Sequence, residues 1–150
     1  MSQKDFLKKY FQNLRSLITF NEDTIKKIIN VSKIITEVDK DGKKTLIFGN
    51  GGSSAIASHF SVDLTKNARV RCVNFNEPDL ITCFSNDFGY EKWVEKSIEY
   101  YGDEGDAAIL ISAGGNSPNM INGAKKAKEK KFSKIITLTG NDKNNKLSEL

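Results

Sequence analysis

The chain has 150 residues, a net charge of +4 and a pI near 9.0, enough for one domain with a real core and too apolar, once its 11 glycines are counted, for disorder. Two cysteines without a C-x-x-C pair or a neighbouring histidine exclude a disulfide framework or zinc ribbon, leaving two buried or half-buried thiols in a reducing compartment. No segment reaches the ~18 apolar residues of a membrane span, and the N-terminus lacks an apolar signal core, so a cytoplasmic protein without a membrane partner is expected.

Ser2 and Asp5 form a capping-box pattern, and Phe6, Leu7, Tyr10, Phe11, Leu14, Leu17 and Ile18 follow at three- and four-residue spacing. They predict an amphipathic helix whose aromatic stripe suits burial against another subunit. Asn21 or Asp23 caps a second helix through Ile25, Ile28, Ile29, Ile35 and Val38, ending at Gly42. Strands and helices then alternate: strand 45–48, helix 54–66, strand 71–75, a short strand or helix over 80–85, helix 91–101, strand 107–112, helix 118–131 with Pro118 in its first turn, and strand 134–139. Unbroken apolar strands in such alternation predict a parallel sheet covered on both faces, an α/β three-layer sandwich of flavodoxin-like type behind N-terminal helices. The expected division is a helical oligomerisation segment over 1–41 and an α/β domain over 42–150.

Two loops carry the chemistry. Leu46-Ile-Phe-Gly-Asn-Gly-Gly-Ser-Ser-Ala55 and Ile109-Leu-Ile-Ser-Ala-Gly-Gly-Asn-Ser-Pro118 share one order: apolar strand, glycine pair, Ser or Asn, helix start. Each aims backbone N–H groups and a helix dipole at the crevice, where an anion is the expected guest. Neither has the spacing of a dinucleotide fingerprint or the Gly-Lys-Ser/Thr ending of a P-loop, so no nucleotide cofactor is expected. Ser53, Ser54, Ser112 and Ser117 add hydroxyl donors suited to a phosphate monoester, although glycines and serines also make ordinary tight turns.

His59 is the only histidine, and Asp63 lies one turn later on the same helix face, where the two can meet each other, a metal or a substrate. A lone helical histidine is more often a solvent or packing residue. Asn86-Asp87-Phe-Gly89 reads as a polar turn that either brings a carboxylate to the site or caps the next helix. The lysines from Lys125 to Lys131 are interrupted by Glu129 and have no aromatic platform, which describes a solvated helix face and not a nucleic-acid surface.

Four motifs in register, Gly-Asn-Gly-Gly-Ser-Ser-Ala-x-Ala-x-His-Phe-x-x-Asp-Leu, Ser-Asn-Asp-Phe-Gly, Ile-Ser-Ala-Gly-Gly-Asn-Ser-Pro-Asn and Ile-Thr-Leu-Thr-Gly, resemble the sugar isomerase (SIS) superfamily, and within it the phosphoheptose isomerases most of all. The resemblance implies an aldose–ketose isomerase acting on a phosphorylated sugar, sedoheptulose 7-phosphate going to a heptose 7-phosphate for lipopolysaccharide or capsule. It implies Asn50, Gly51 and Ser53 facing the substrate, Ser112 and Ser117 holding its phosphate, Asp87 beside the sugar chain, and Gly52, Gly114 and Asn116 among the substrate-binding residues. His59 matches a family histidine, and Asp63 stands where the family has a proton-moving glutamate. That pair contributes to zinc in some members, and a homotetramer or homodimer with sites built between subunits is implied as well.

Three departures qualify the catalytic expectation. Ala113 and Gly114 replace a Thr and a Ser of the family loop, and Asp63 is one methylene shorter than glutamate. The sequence given also ends before the family's last strand and a C-terminal helix bearing a Gln and a second His, so the domain is expected to be incomplete there. The alternative reading is a non-catalytic SIS module, a sugar-phosphate-binding or replication-initiator-associating regulatory tetramer. A weaker third is an isomerase for a different sugar phosphate.

Overall fold

The structure, a computed structural model, describes residues 1–18, 21–140 and 144–150. By its internal contacts the chain divides into two units, Met1–Lys33 and Ile34–Leu150.

In the first unit, α1 (Gln3–Ile18) begins with the anticipated box: the Asp5 N–H donates to Ser2 Oγ at 3.1 Å and the Ser2 hydroxyl donates to Asp5 Oδ2 at 2.6 Å. None of its residues is buried, and Phe6, Tyr10, Phe11 and Leu17 are exposed. The α2 helix (Glu22–Lys40) is capped by Asn21, whose Oδ1 accepts from the Thr24 N–H at 2.9 Å. Its last turns belong to the second unit, where Ile35 and Val38 are buried.

The second unit is a four-stranded parallel sheet in the order β2-β1-β3-β4, formed by β1 (Thr45–Gly49), β2 (Cys72–Asn74), β3 (Ala107–Ser112) and β4 (Lys134–Thr139). Helices lie on both faces, as the unbroken apolar strands require: every residue of β1 and β3 is buried. The α3 helix (Gly52–Lys66) crosses from β1 to β2, and α6 (Pro118–Glu129) from β3 to β4. One face packs Leu46, Phe48, Ala108 and Leu110 against Phe75, Trp93, Val94, Ile98, Met120 and Ala124 in a single core. Full burial of each large apolar side chain there contributes about 1.5–3 kcal/mol.

Some expectations need correction. The undecided stretch over 80–85 is helical, part of α4 (Pro78–Phe88), with proline opening its first turn and Leu80, Ile81 and Phe84 packed on the core. Asn86 and Asp87 are consequently not a turn but the last turn of α4, and the chain reverses at Gly89, where φ is +92°. The helix expected over 91–101 is a 3₁₀ turn (Tyr90–Lys92) running into α5 (Trp93–Tyr101). Of the two thiols, both expected to be buried or half-buried, Cys72 is buried but Cys83 is exposed on α4. No helix among the described residues is long and apolar enough to cross a membrane.

Strand order places the site. From β1 the chain moves outward to β2, then returns to the opposite side of β1 to form β3. The direction of winding therefore switches between β1 and β3, and the crevice beyond their carboxyl ends is where open α/β sheets bind ligands. Both glycine loops leave the sheet there, because Gly49 pairs with Ile111 in register.

Candidate functional site

The first loop is tight because of what surrounds Gly49. A Cβ there would overlap the backbone of Ser53 and Ser54, so only glycine lets α3 begin so close to the end of β1. Ser53 and Ser54 N–H groups close the turn onto the carbonyls of Asn50 and Gly51, both at 3.0 Å. Gly51 is the N-cap of α3 and offers no side-chain cap.

The second loop repeats this state by a different route. Ser117 is the N-cap of α6 and Pro118 follows at its first position, yet the serine makes no cap hydrogen bond. Its hydroxyl instead lies 3.1 Å from that of Ser112, which is buried at the end of β3. Two adjacent helix starts thus lack the capping acceptor that a Ser, Thr, Asp or Asn side chain supplies at most such positions. An anion held between them would meet two dipole ends and a pair of hydroxyls.

Asn50 and Asn119 bind the loops together. The Asn50 Nδ2 donates to Asn119 Oδ1 at 3.0 Å, and Asn119 Nδ2 returns a bond to Asn50 Oδ1 at 2.8 Å. Asn119, in the first turn of α6, is 2% exposed, so the pair is shielded from water on that side. Tyr90, from the turn ahead of α5, donates its hydroxyl to the same Asn50 oxygen at 3.1 Å.

A third segment supports the second loop. The Leu147 N–H donates to the Gly115 carbonyl at 2.9 Å, and Leu147 itself is 1% exposed in the core. The Lys146 N–H reaches Asn116 Oδ1 at 3.2 Å, while Asn116 Nδ2 donates to the Gly114 carbonyl at 2.9 Å. Asn116 is therefore occupied, by its own loop and by Lys146. By contrast, a Cβ on Gly52 or Gly114 would meet nothing within 4 Å, so both face open space.

His59 and Asp63 do meet, with Nε2 and Oδ2 3.6 Å apart and both side chains well exposed. Asp63 also accepts from Asn67 Nδ2 at 3.0 Å. They line an open groove of about 470 Å³ with Ala55, Ile56 and Phe60. The helix carries them away from the loop: at 1.5 Å per residue, Asp63 sits about 15 Å along α3 from Ser53, more than a heptose phosphate spans. Two donors are half of the ligand set that zinc takes, and no group of three or more His, Cys, Asp or Glu stands together among the described residues. Asp87, exposed on α4, accepts from Asn86 Nδ2 at 2.9 Å and from the Cys83 thiol at 3.9 Å, and no hydrogen bond or ion pair joins it to either loop.

The loop pattern thus finds the glycines and serines that the structure brings to one crevice. It misses Tyr90 and the role of Asn119. Asn119 closes the Ile111–Asn119 motif; Tyr90 joins the site only through folding.

A family profile described as the SIS domain matches residues 9–140. Phosphoheptose isomerase of Fusobacterium nucleatum is 39% identical over 126 residues, 81% of this chain and 64% of that protein. The enzyme of the same name from Sodalis glossinidius is 36% identical over 141 residues, 91% of this chain and 72% of its own. The chain therefore spans about two thirds of the length of these relatives. Among solved structures, phosphoheptose isomerase from Neisseria gonorrhoeae superposes with a TM-score of 0.82 at 27% identity, covering 99% of this chain and 79% of that one. The Francisella tularensis phosphoheptose isomerase, at 24% identity and a TM-score of 0.85 over 99% of this chain and 81% of its own, shares the fold.

Proposed function

The chain belongs to the SIS domain family, and from that premise we propose that it is a phosphosugar aldose–ketose isomerase, converting sedoheptulose 7-phosphate into a heptose 7-phosphate for surface polysaccharide. The observation that carries this reading is the joining of two uncapped helix starts at the switch point by the Asn50–Asn119 amide pair. That arrangement suits a dianionic phosphate, held by loop amides with Ser53, Ser112 and Ser117, with the sugar lying along the crevice past Asn50. Each hydrogen bond to the charged group contributes about 1.5–3 kcal/mol. The two curated relatives described above carry the name of this activity.

In the reaction a base takes the proton from C1 of the ketose, giving an ene-diol, and returns it to C2, while a second proton passes between the oxygens O1 and O2. The formula is unchanged and no redox partner is consumed. Asp63 is the proposed base, with His59 as its polar partner at 3.6 Å. Since Asp63 is about 15 Å along α3 from Ser53, the carboxylate serving one cradle is proposed to come from α3 of a second copy of the chain. The exposed apolar residues Ile56 and Val62 beside it fit a helix face that meets a partner. His59 and Asp63 would offer zinc two ligands, and the proton transfer itself falls to the Asp63 carboxylate.

Ala113 and Gly114 favour one second reading, a sugar-phosphate-binding module without turnover, because neither residue brings a hydroxyl to the loop. Incubation with sedoheptulose 7-phosphate, with and without added zinc, followed by detection of aldose, separates the two. Aldose formation supports the isomerase; thermal stabilisation by the sugar phosphate without aldose supports the module.

A further inference from the structure

We propose that Tyr90 and Asn119 are positioning residues that hold the Asn50 side-chain amide in a single orientation, so that Asn50 meets a bound sugar only as a hydrogen-bond donor to a carbonyl or ene-diolate oxygen. The inference rests on the phosphosugar reading of the crevice and assigns how that site treats the reacting oxygens.

A primary amide has two N–H donors and two oxygen lone pairs. On Asn50 both lone pairs are taken, by Asn119 Nδ2 at 2.8 Å and the Tyr90 hydroxyl at 3.1 Å, and one N–H is taken by Asn119 Oδ1 at 3.0 Å. One N–H is left. Asn50 is half-buried and occupies the loop beyond β1, and among the described residues this remaining side-chain donor has no partner, so it is what the amide offers a guest.

The amide pair alone does not select that state. Turning both amides over by 180° restores both mutual bonds and leaves a lone pair free in place of the N–H. Tyr90 breaks the tie, because a phenol donates more strongly than it accepts and therefore favours the oxygen of Asn50. Nor is Tyr90 a loose surface side chain. Its turn is anchored to α6 by Asn122, whose Nδ2 donates to the Glu91 carbonyl at 2.9 Å, and by the fully packed Trp93 that follows. The network thereby links β1, α6 and the turn ahead of α5. A preset donor aimed at an oxygen that gains charge strengthens as the ene-diolate forms.

Tyr90→Phe removes one oxygen from a residue that is 53% exposed and is expected to fold normally. With sedoheptulose 7-phosphate, kcat should fall roughly five- to tenfold while KM changes less than about twofold. The affinity for inorganic phosphate and the melting temperature should stay as in the unaltered protein. The assigned Asn50 side-chain NH₂ signals should shift on adding the sugar phosphate in the unaltered protein and respond less in Tyr90→Phe. Asn50→Asp, which exchanges the donor for an acceptor of equal size, should lose more turnover than Tyr90→Phe. Unchanged kcat with unchanged Asn50 signals overturns the proposal, as does a loss of kcat matched by equal losses in phosphate affinity and melting temperature. If the unaltered protein shows no turnover, the isomerase reading fails separately, and the NH₂ signals alone then decide whether Tyr90 orients Asn50.

Discussion

Asn145 occupies the space that a side chain on Gly115 would need: a Cβ built at Gly115 would overlap the Asn145 amide. Gly115 also has a φ of +64°, in the left-handed region. Asn145 in turn is 2% exposed, and its Nδ2 donates to Thr139 Oγ1 at 3.2 Å. The second loop is thus shaped from behind by a residue thirty positions later in the chain.

Gly115→Ala should destabilise the protein by about 1–3 kcal/mol through the combined strain and overlap. Gly115→Ala with Asn145→Gly should be less destabilised than the sum of the two single changes, since the second removes the overlap. Urea unfolding of the four proteins measures both.

Ser117→Ala and Ser112→Ala should each weaken sugar-phosphate binding by roughly tenfold, each removing one member of the hydroxyl pair from a charged acceptor. Ser53→Ala, on the first loop, should act in the same direction. Titration calorimetry with sedoheptulose 7-phosphate gives the values, and unchanged affinity in all three would place the ligand elsewhere.

The proton-transfer role proposed for Asp63 makes a paired expectation. Asp63→Asn should reduce turnover by about 100-fold or more with binding retained. Asp63→Glu restores the longer side chain of the family pattern, and because a displacement of ~1 Å at a reacting group can cost ~100-fold, it should raise turnover. No rise in Asp63→Glu, with Asp63→Asn as active as the unaltered protein, removes Asp63 from the reaction.

The end of the sheet opposite the loops has its own electrostatics. Lys44 Nζ lies 2.6 Å from Asp103 Oδ2 and 2.7 Å from Asp106 Oδ2, and Asp106 is almost completely buried. Burial pulls the Lys44 pKa down, but hydrogen bonds to Asp103 and Asp106 outweigh it, and the net shift is upward. The hydrogen bond from Lys44 holds the Asp103 carboxyl below its usual range. Lowered in the folded state, Asp103 adds stability above the ordinary carboxylate pKa and loses it as pH falls through the folded value; raised Lys44 adds stability below the ordinary lysine pKa and loses it as pH rises through its own. Lys44→Met should therefore be most destabilising at neutral pH, and its deficit should shrink below about pH 4 and above about pH 10.5. Urea unfolding across that range tests the sign at both ends.

Much of the sheet was legible because its two central strands are buried along their whole length and the helices that leave them, α3 and α6, start at glycine and proline. The strand from Ala107 to Ser112 and the strand from Lys134 to Thr139 have the bounds their apolar runs indicate. The α4 helix was not legible: Leu80-Ile-Thr-Cys-Phe is short, apolar and β-branched, and only packing of Leu80, Ile81 and Phe84 on the core decides for helix. At the site, the glycines and serines are local in sequence and could be read as a motif. Tyr90 and Asn145 could not, because each reaches the loops through a long-range contact, to Asn50 and to Gly115, that no local pattern encodes.

The central claim is that both loops hold one phosphosugar, and backbone amide shifts report on it most directly. In a titration of the ¹⁵N-labelled protein with sedoheptulose 7-phosphate, the amides of residues 51–54 and 114–117 should move together and fit a single dissociation constant. Shifts confined to one of the two loops, or two curves with unrelated constants, would contradict it.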